Sequence, residues 1–320
     1  MNLSTPQLID VRSPLEFLQG HIPGSYSLPL FSNEERALVG TLYKKEGKET
    51  AIKEGLRLVG PKLHSLVEQA EKIAPTKHIK LYCARGGMRS SSVSWLLTTA
   101  GFTCEVYSGG YKAYRNLVLK QFEKKYRFIV VGGFTGSGKT AFLQQLKQKK
   151  QLQIIDLENL ANHKGSSFGY LGEAQPSSEH FENLLGHQLS FLCQEQPIWI
   201  EDESRMIGTC AIPQGLLEQM ALAPFVWLDV PIEKRIKNLL DEYGYKPHEE
   251  LIQAMKRLTK RLGKENVEKA IWFLKQEDRK SAISLFLEYY DKTYAYACLR
   301  KGRQQTLQQT LPKEILCHLL

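Results

Sequence analysis

Residues 126–143 read YRFIVVGGFTGSGKTAFL. A β-branched run passes into a glycine-rich loop, and a helical pattern opens directly on Lys139. Gly133, Gly138, Lys139 and Thr140 match G-x-x-x-x-G-K-[ST], and the flanking strand and helix turn that pattern into a phosphate cradle. Gly133, Gly136 and Gly138 let successive backbone N–H groups wrap a di- or triphosphate. Lys139 then reaches the outer phosphates, and the Thr140 hydroxyl suits Mg²⁺. A loop of this kind opens a parallel α/β sheet. Three later apolar runs supply its other strands: LQIIDLE (152–158), QPIWIEDES (196–204) and APFVWLDVP (223–231). A partner acid belongs at the end of a neighbouring strand. Asp202 or Glu201 is expected on the metal side, beside Glu203, with Asp156 and Glu158 as a second possibility.

A second anion-holding stretch lies upstream, LYCARGGMRSSSVSWLL at 81–97. Cys83 ends a buried strand, and a helix starts a few residues on. Backbone N–H groups and a helix N-terminus therefore converge on the thiol. With Arg85 and Arg89 beside it, the thiol is expected to ionise readily, giving a nucleophile whose loop also holds an oxyanion. Gly86 and Gly87 let the backbone curl without Cβ clashes. Cys104, Cys193, Cys210, Cys298 and Cys317 have no such surroundings. The absence of C-x-x-C or paired His/Cys spacing argues against zinc and against a disulfide framework, and fits a reducing cytoplasm.

Around these two stretches, 320 residues suffice for two domains at roughly 100–200 residues each. Residues 1–124 alternate short strands and helices, with a long polar helical region from Asn33 to about Lys72. That pattern predicts a doubly wound α/β sheet. Residues 125–231 form the P-loop α/β domain, and 232–320 a helical, basic extension expected to pack on it. Asp10 and Arg12 close the first strand as a structural ion pair, and His21 sits in the next turn. No run of about 18 apolar residues is present, so no membrane span is expected. The start lacks the basic-then-apolar pattern of a secretory signal.

The formal charge is +9, and +6 of it falls between Pro231 and Arg303, with 17 Lys or Arg against 11 Asp or Glu. Lys256, Lys260 and Lys264, with Arg257 and Arg261 beside them, read as a cationic stripe along one helix. Trp272, Phe273, Tyr289, Tyr290, Tyr294 and Tyr296 follow. Phosphate contacts and base stacking on RNA are the functional reading of this composition, with a solvated helix surface and core aromatics as the alternative.

LIDVRSPLEFLQGHIPGSYSLP, then YCARGGMRS, then VYSGGYKAYR resembles a rhodanese domain in order and spacing. Rhodaneses move sulfur as a cysteine persulfide in such a loop. Cys83 to Arg89 is C-x5-R, one residue longer than the usual sulfurtransferase loop and the length found in dual-specificity phosphatases. Those enzymes usually place His before the cysteine, where this chain has Tyr82.

NEERALVGTLYKKEG, AIKEGLRLV, RGGMRS, GGYKAYR, GGFTGSGKT, DLENLANHKGSSFG and WIEDESRMIG together resemble the bacterial tRNA 2-selenouridine synthases. That resemblance implies two reactions on a wobble 2-thiouridine of tRNA. Geranyl diphosphate alkylates the sulfur, and selenium from selenophosphate then displaces the S-geranyl group. It implies Cys83 as selenium carrier, with Arg85, Gly86, Gly87 and Arg89 holding the oxyanion. Gly133, Gly136, Gly138, Lys139 and Thr140 would hold diphosphate, with Mg²⁺ as a candidate and no tightly bound cofactor. His163, Lys164, Ser166 and Ser167 would line the same site. The expected partner is tRNA and the expected location the cytoplasm; the oligomeric state is left open, with a monomer as one candidate. A kinase or NTPase coupled to a sulfurtransferase, a dual-specificity-phosphatase-like enzyme and a non-catalytic RNA-binding protein remain open alternatives.

Overall fold

The computed structural model describes residues 5–164 and 174–300, without the side chains of 261, 297, 299 and 300. Two compact units divide the chain. The first runs to Gln121 and also takes Glu179–His187; the second takes Phe122–Ser178 and the chain from Gln188 onward.

In the first unit the elements are β1 (Gln7–Asp10), α1 (Pro14–Gln19), β2 (Tyr26–Ser27), α2 (Asn33–Lys45), α3 (Lys48–Val59), α4 (Leu63–Ile73), β3 (His78–Tyr82), α5 (Met88–Thr99), β4 (Thr103–Val106) and α6 (Gly110–Glu123). The strands form one parallel sheet in the order β2-β1-β3-β4, with Asp10 beside Tyr82. Ile9, Val11, Ile79, Leu81, Val93 and Leu97 fill its core, so the β1 and β3 runs lie buried between helices. Ser13–Glu16 and Ser32–Glu35 capping boxes start α1 and α2, which is why those helices begin where they do.

The second unit holds β5 (Phe128–Gly132), α7 (Lys139–Lys150), β6 (Gln153–Ile155), α8 (Leu157–Leu160), α9 (Ser178–Ser190), β7 (Ile198–Glu201), β8 (Met206–Ile207), β9 (Cys210–Ala211), α10 (Gln214–Leu222) and β10 (Phe225–Trp227). The middle of α9 is the segment assigned to the first unit, where Tyr114 donates to the Asn183 carbonyl at 3.2 Å. The parallel sheet runs β10-β5-β7-β6. From β5 the chain crosses to the edge strand β6, returns to β7, and later places β10 on the other side. The carboxyl end of β5 is thus a topological switch point, the usual place for an anionic ligand in such a sheet. A short β8–β9 hairpin, turning at Gly208 (φ +61°), follows the acidic end of β7 and is not foreshadowed by periodicity.

Five further helices follow among the described residues: α11 (Ile232–Tyr243), α12 (His248–Arg257), α13 (Thr259–Leu262), α14 (Lys264–Lys275) and α15 (Arg279–Arg300). They correct the expected cationic stripe. Lys256 lies on α12, Lys260 on α13 and Lys264 at the start of α14, so no single helix carries all three. Leu258 and Leu262 turn inward into the helical core, and Gly263 (φ +84°) breaks the chain between them and α14. Lys256, Lys260 and Lys264 are exposed, and the Arg261 side chain lies outside the described residues. Among the described residues no helix is long and apolar enough to cross a membrane.

Candidate functional site

Each unit carries one of the two loops expected to hold an anion. In the first, β3 delivers Cys83 to the carboxyl edge of its sheet, and Gly86 (φ +65°) folds the chain back toward α5. The start of α6 clamps this loop. Tyr111 N–H donates to the Cys83 carbonyl at 2.9 Å, and Lys112 N–H to that of Ala84 at 3.0 Å. Gly110 (φ +59°) lies so close that a Cβ there would overlap the Cys83 carbonyl oxygen and the Gly86 nitrogen. The GG of VYSGGYKAYR is therefore part of the cysteine site, a role its sequence position did not reveal.

The Cys83 sulfur is buried and receives the Gly87 N–H at 3.3 Å and the Ser90 hydroxyl at 3.2 Å. Burial pushes the thiol pKa up. The Ser90 hydroxyl and the amides of Arg85, Ser90 and Gly87 outweigh it and leave the pKa below its ordinary value. The direction and the converging backbone N–H groups match the sequence reading, but the two guanidiniums do not contribute as expected. Arg85 is exposed and contributes its amide. Arg89 donates to both oxygens of Glu16 at 2.7 and 3.2 Å, so its guanidinium is engaged away from the sulfur. Burial raises the Glu16 pKa, yet its bonds to Arg89 carry it down to about 2. Ser90, seven residues after the cysteine, is the residue that sequence reasoning missed. One helical turn into α5 brings its hydroxyl back onto the sulfur.

Asp10 and Arg12 form a buried ion pair at 2.6 Å, and the guanidinium also lies 3.8 Å from the centroid of the Tyr111 ring. His21 stacks between Phe17 and His180, each at 3.8 Å. These residues hold the scaffold.

In the second unit Gly136 and Gly138 both take φ +80°, and Lys139 begins α7 with its ammonium 3.3 Å from the Gly133 carbonyl. The Ser137 hydroxyl is buried over Gly133 and has no hydrogen-bond partner among the described residues, an open donor inside the cradle. Thr140 donates toward Glu158 at 3.2 Å and Glu201 at 3.4 Å. Carboxylate oxygens of Glu158, Glu201 and Glu203 all fall within 4.8 Å of one another. Burial raises the Glu158 pKa. It raises that of Glu201 further, with Glu158 as the strongest repelling charge. A hydroxyl and crowded carboxylates form a hard-oxygen set that fits Mg²⁺, which would relieve their mutual repulsion.

The structure sorts the acids offered by the sequence. Glu201 meets Thr140. Asp202 accepts a hydrogen bond from the Tyr294 hydroxyl at 2.7 Å on the wall of the same cleft. Asp156 instead caps α8 through Asn159 N–H and accepts from Gln144 at 2.7 Å, so Glu158, two residues on, takes the place beside Thr140. Lys164 pairs with Glu242 at the cleft, whereas His163 is buried. Ser166 and Ser167 lie outside the described residues.

The cleft over the P-loop holds about 800 Å³, and α11 and α15 form much of its wall. Arg235 makes two bonds to Asp291, at 2.8 and 2.7 Å, and donates to the Thr135 carbonyl at 3.2 Å; Asn238 donates to Gly136 at 2.8 Å. Nothing in their local sequence marks these residues as braces of the P-loop. Of the late aromatics, Trp272 and Tyr296 are exposed, whereas Phe273, Tyr289 and Tyr290 pack on the helical core.

Comparison with known proteins follows the same division. Residues 1–117 match the rhodanese-like domain, and residues 126–319 match a family described as the tRNA 2-selenouridine synthase AAA domain. A tRNA 2-selenouridine synthase from Sulfurovum sp. (strain NBC37-1) is 37% identical, over 94% of this chain and 91% of its own length. One from Pseudomonas fluorescens (strain Pf-5) is 35% identical over the same shares, and one from Cronobacter sakazakii is 40% identical over 74% of this chain and 64% of its own. With a thiolate-stabilising rhodanese loop, a P-loop and relatives aligned along nearly its whole length, the chain belongs to the tRNA 2-selenouridine synthase family.

Proposed function

We propose that this chain converts 2-thiouridine at the wobble position of tRNA to 2-selenouridine in two steps, one for each anion-binding loop. The observation that carries the reading is the pairing, in one chain of this family, of a thiolate-stabilising loop with a P-loop. A transferase that alkylated alone, or exchanged selenium alone, would need only one of them.

In the first step the 2-thiouridine sulfur attacks C1 of geranyl diphosphate. The allylic C–O bond breaks, the N3 proton is lost, and diphosphate departs. Lys139 and the amides of Gly133–Thr140 stabilise the charge that gathers on the leaving oxygens, the role of an oxyanion hole. Mg²⁺ held by Thr140, Glu158 and Glu201 would supply further positive charge there. Asp202 and Glu203 line the same wall.

In the second step the Cys83 loop holds selenophosphate, with its amides and Arg85 on the phosphate oxygens. Selenium bonds to C2, the C2–S bond breaks and geranyl thiol leaves. The Cys83 thiolate then attacks phosphorus, the Se–P bond breaks and leaves selenium on C2, and water hydrolyses the S-phosphocysteine to free thiol and phosphate. Alkylation makes this exchange feasible, because a neutral thiol departs where sulfide would not. Exposed Lys256, Arg257, Lys260 and Lys264 supply phosphate contacts to tRNA, and the reaction takes place in the cytoplasm.

Incubating the protein with 2-thiouridine tRNA and geranyl diphosphate, without ATP, tests the first step by nucleoside mass spectrometry. Selenophosphate added afterwards tests the second. Lys139→Ala is expected to block geranylation, and Cys83→Ser to block selenation while sparing geranylation. Unmodified tRNA together with ATP hydrolysis would reassign the P-loop to a nucleotide, and equal loss of both products in Cys83→Ser would refute the division of labour.

A further inference from the structure

We infer that the apolar cavity enclosed by α11, α12, α14 and α15 receives the distal part of the prenyl chain, an assignment that rests on the reading of the P-loop as a prenyl diphosphate site. The cavity measures about 50 Å³ and is walled by Leu251, Met255, Leu274, Ala282, Phe286 and their neighbours. Arg279 is the one charged side chain among the described residues that line it. Its guanidinium is engaged with the backbone carbonyls of Gly244 and, at 3.2 Å, Lys246.

Position makes this cavity more than a packing defect. Thr135, Leu239, Tyr243 and Tyr290 line both the cavity and the P-loop cleft. Thr135 belongs to the phosphate loop itself. Leu239 sits so close to Gly136 that a Cβ there would come within 3.0 Å of the leucine Cγ. A donor whose diphosphate rests on that loop therefore has an apolar exit starting at its own phosphates. An allylic chain attached directly to diphosphate needs that continuity, whereas a nucleotide would bring a polar ribose to the same wall.

Size sets what enters. At roughly 10–15 Å³ per water-sized group, the cavity holds about three to five such groups. That suits one five-carbon isoprene unit, with the proximal unit of a ten-carbon chain left in the wider cleft. Met255, with its unbranched and adaptable thioether, can adjust to the last methyl groups. The cavity thus acts as a ruler that favours two isoprene units over one.

The full chain would be titrated with inorganic pyrophosphate and with dimethylallyl, geranyl and farnesyl diphosphates. The wild type is expected to bind geranyl diphosphate at least about tenfold more tightly than dimethylallyl diphosphate, the scale of discrimination that apolar pockets reach. Ala282→Phe, which fills the cavity, should erase that advantage and leave pyrophosphate binding intact. Met255→Ala, which lengthens it, should move the preference about tenfold toward farnesyl diphosphate. If Ala282→Phe disrupts the fold, revealed by loss of pyrophosphate binding, Met255→Ala decides. A wild-type geranyl advantage that survives both substitutions unchanged overturns the cavity assignment alone. A wild type that binds pyrophosphate and all three prenyl diphosphates equally overturns the prenyl-donor reading itself.

Discussion

Substituting Ser90→Ala isolates what stabilises the Cys83 thiolate. The variant keeps the loop and its amides and removes one donor, the hydroxyl 3.2 Å from the sulfur. A hydrogen bond to a charged group contributes about 1.5–3 kcal/mol. At about 1.4 kcal/mol per tenfold, its loss would reduce the thiolate population at neutral pH about ten- to a hundredfold. Two effects moderate that figure. The same hydroxyl lies 3.0 Å from the Gly87 carbonyl, so its bond to sulfur replaces another, and the lower half of the range applies. A more basic thiolate is also a better nucleophile, with a Brønsted coefficient of about 0.4–0.5. The net expectation is iodoacetamide alkylation slowed about four- to tenfold at neutral pH, and quickened about three- to eightfold on the alkaline plateau where every thiol is ionised. Opposite changes at the two ends of the pH profile are the signature. Rates that fall in parallel at both ends, or do not change, would refute the assignment of Ser90 and return the effect to Arg85 and Arg89. Stability follows the same sign. A depressed thiol pKa stabilises the fold above the unfolded value and loses that contribution as pH falls through the folded one, so Ser90→Ala should destabilise mainly at alkaline pH.

Glu201→Gln tests the carboxylate cluster through stability. Its raised pKa favours the fold below the ordinary carboxylate value, and that contribution is lost as pH rises through the folded value. The permanently neutral amide should therefore raise the metal-free Tm at pH 8 by about 2–4 °C per kcal/mol relieved, with little change at pH 5. It should also weaken the stabilisation that added Mg²⁺ confers; a lower Tm at pH 8 without metal would contradict the cluster's strain. Gly110→Ala places a Cβ against the cysteine loop at positive φ, costing about 1–3 kcal/mol in backbone strain alone. Alkylation of Cys83 should then approach the rate of an unperturbed thiol, and an unaltered rate would show that the clamp is dispensable. Reversing Lys256, Lys260 and Lys264 to Glu together should weaken tRNA binding and flatten its salt dependence by up to about 0.7–0.9 for each phosphate no longer neutralised. Filter-binding titrations at several salt concentrations that show the same affinity and slope would take these lysines out of the interface.

Both glycine-containing loops are legible in the sequence because each is local. Gly133 to Thr140 occupy one loop and one helix start, so their spacing dictates a strand–loop–helix turn wherever the domain is packed. The apolar runs around Ile9, Ile79, Val130 and Ile200 likewise imply parallel strands buried on both faces. The breaks in the basic segment were half legible: Gly263 is a helix stop, yet the regular spacing of Lys256, Lys260 and Lys264 suggested continuity until Leu258 and Leu262 turned into the core. What remained hidden were pairings between distant segments. Arg89 meets Glu16 rather than the sulfur, Glu158 rather than Asp156 meets Thr140, and Asp291 on α15 braces Arg235 against the P-loop. Strand register and helix packing decide such partners. A shift of one residue along a strand, or a quarter turn of a helix, sends a side chain to another face. Residue types therefore marked which loops and strand ends to look at, and only the packing decided which side chains meet there.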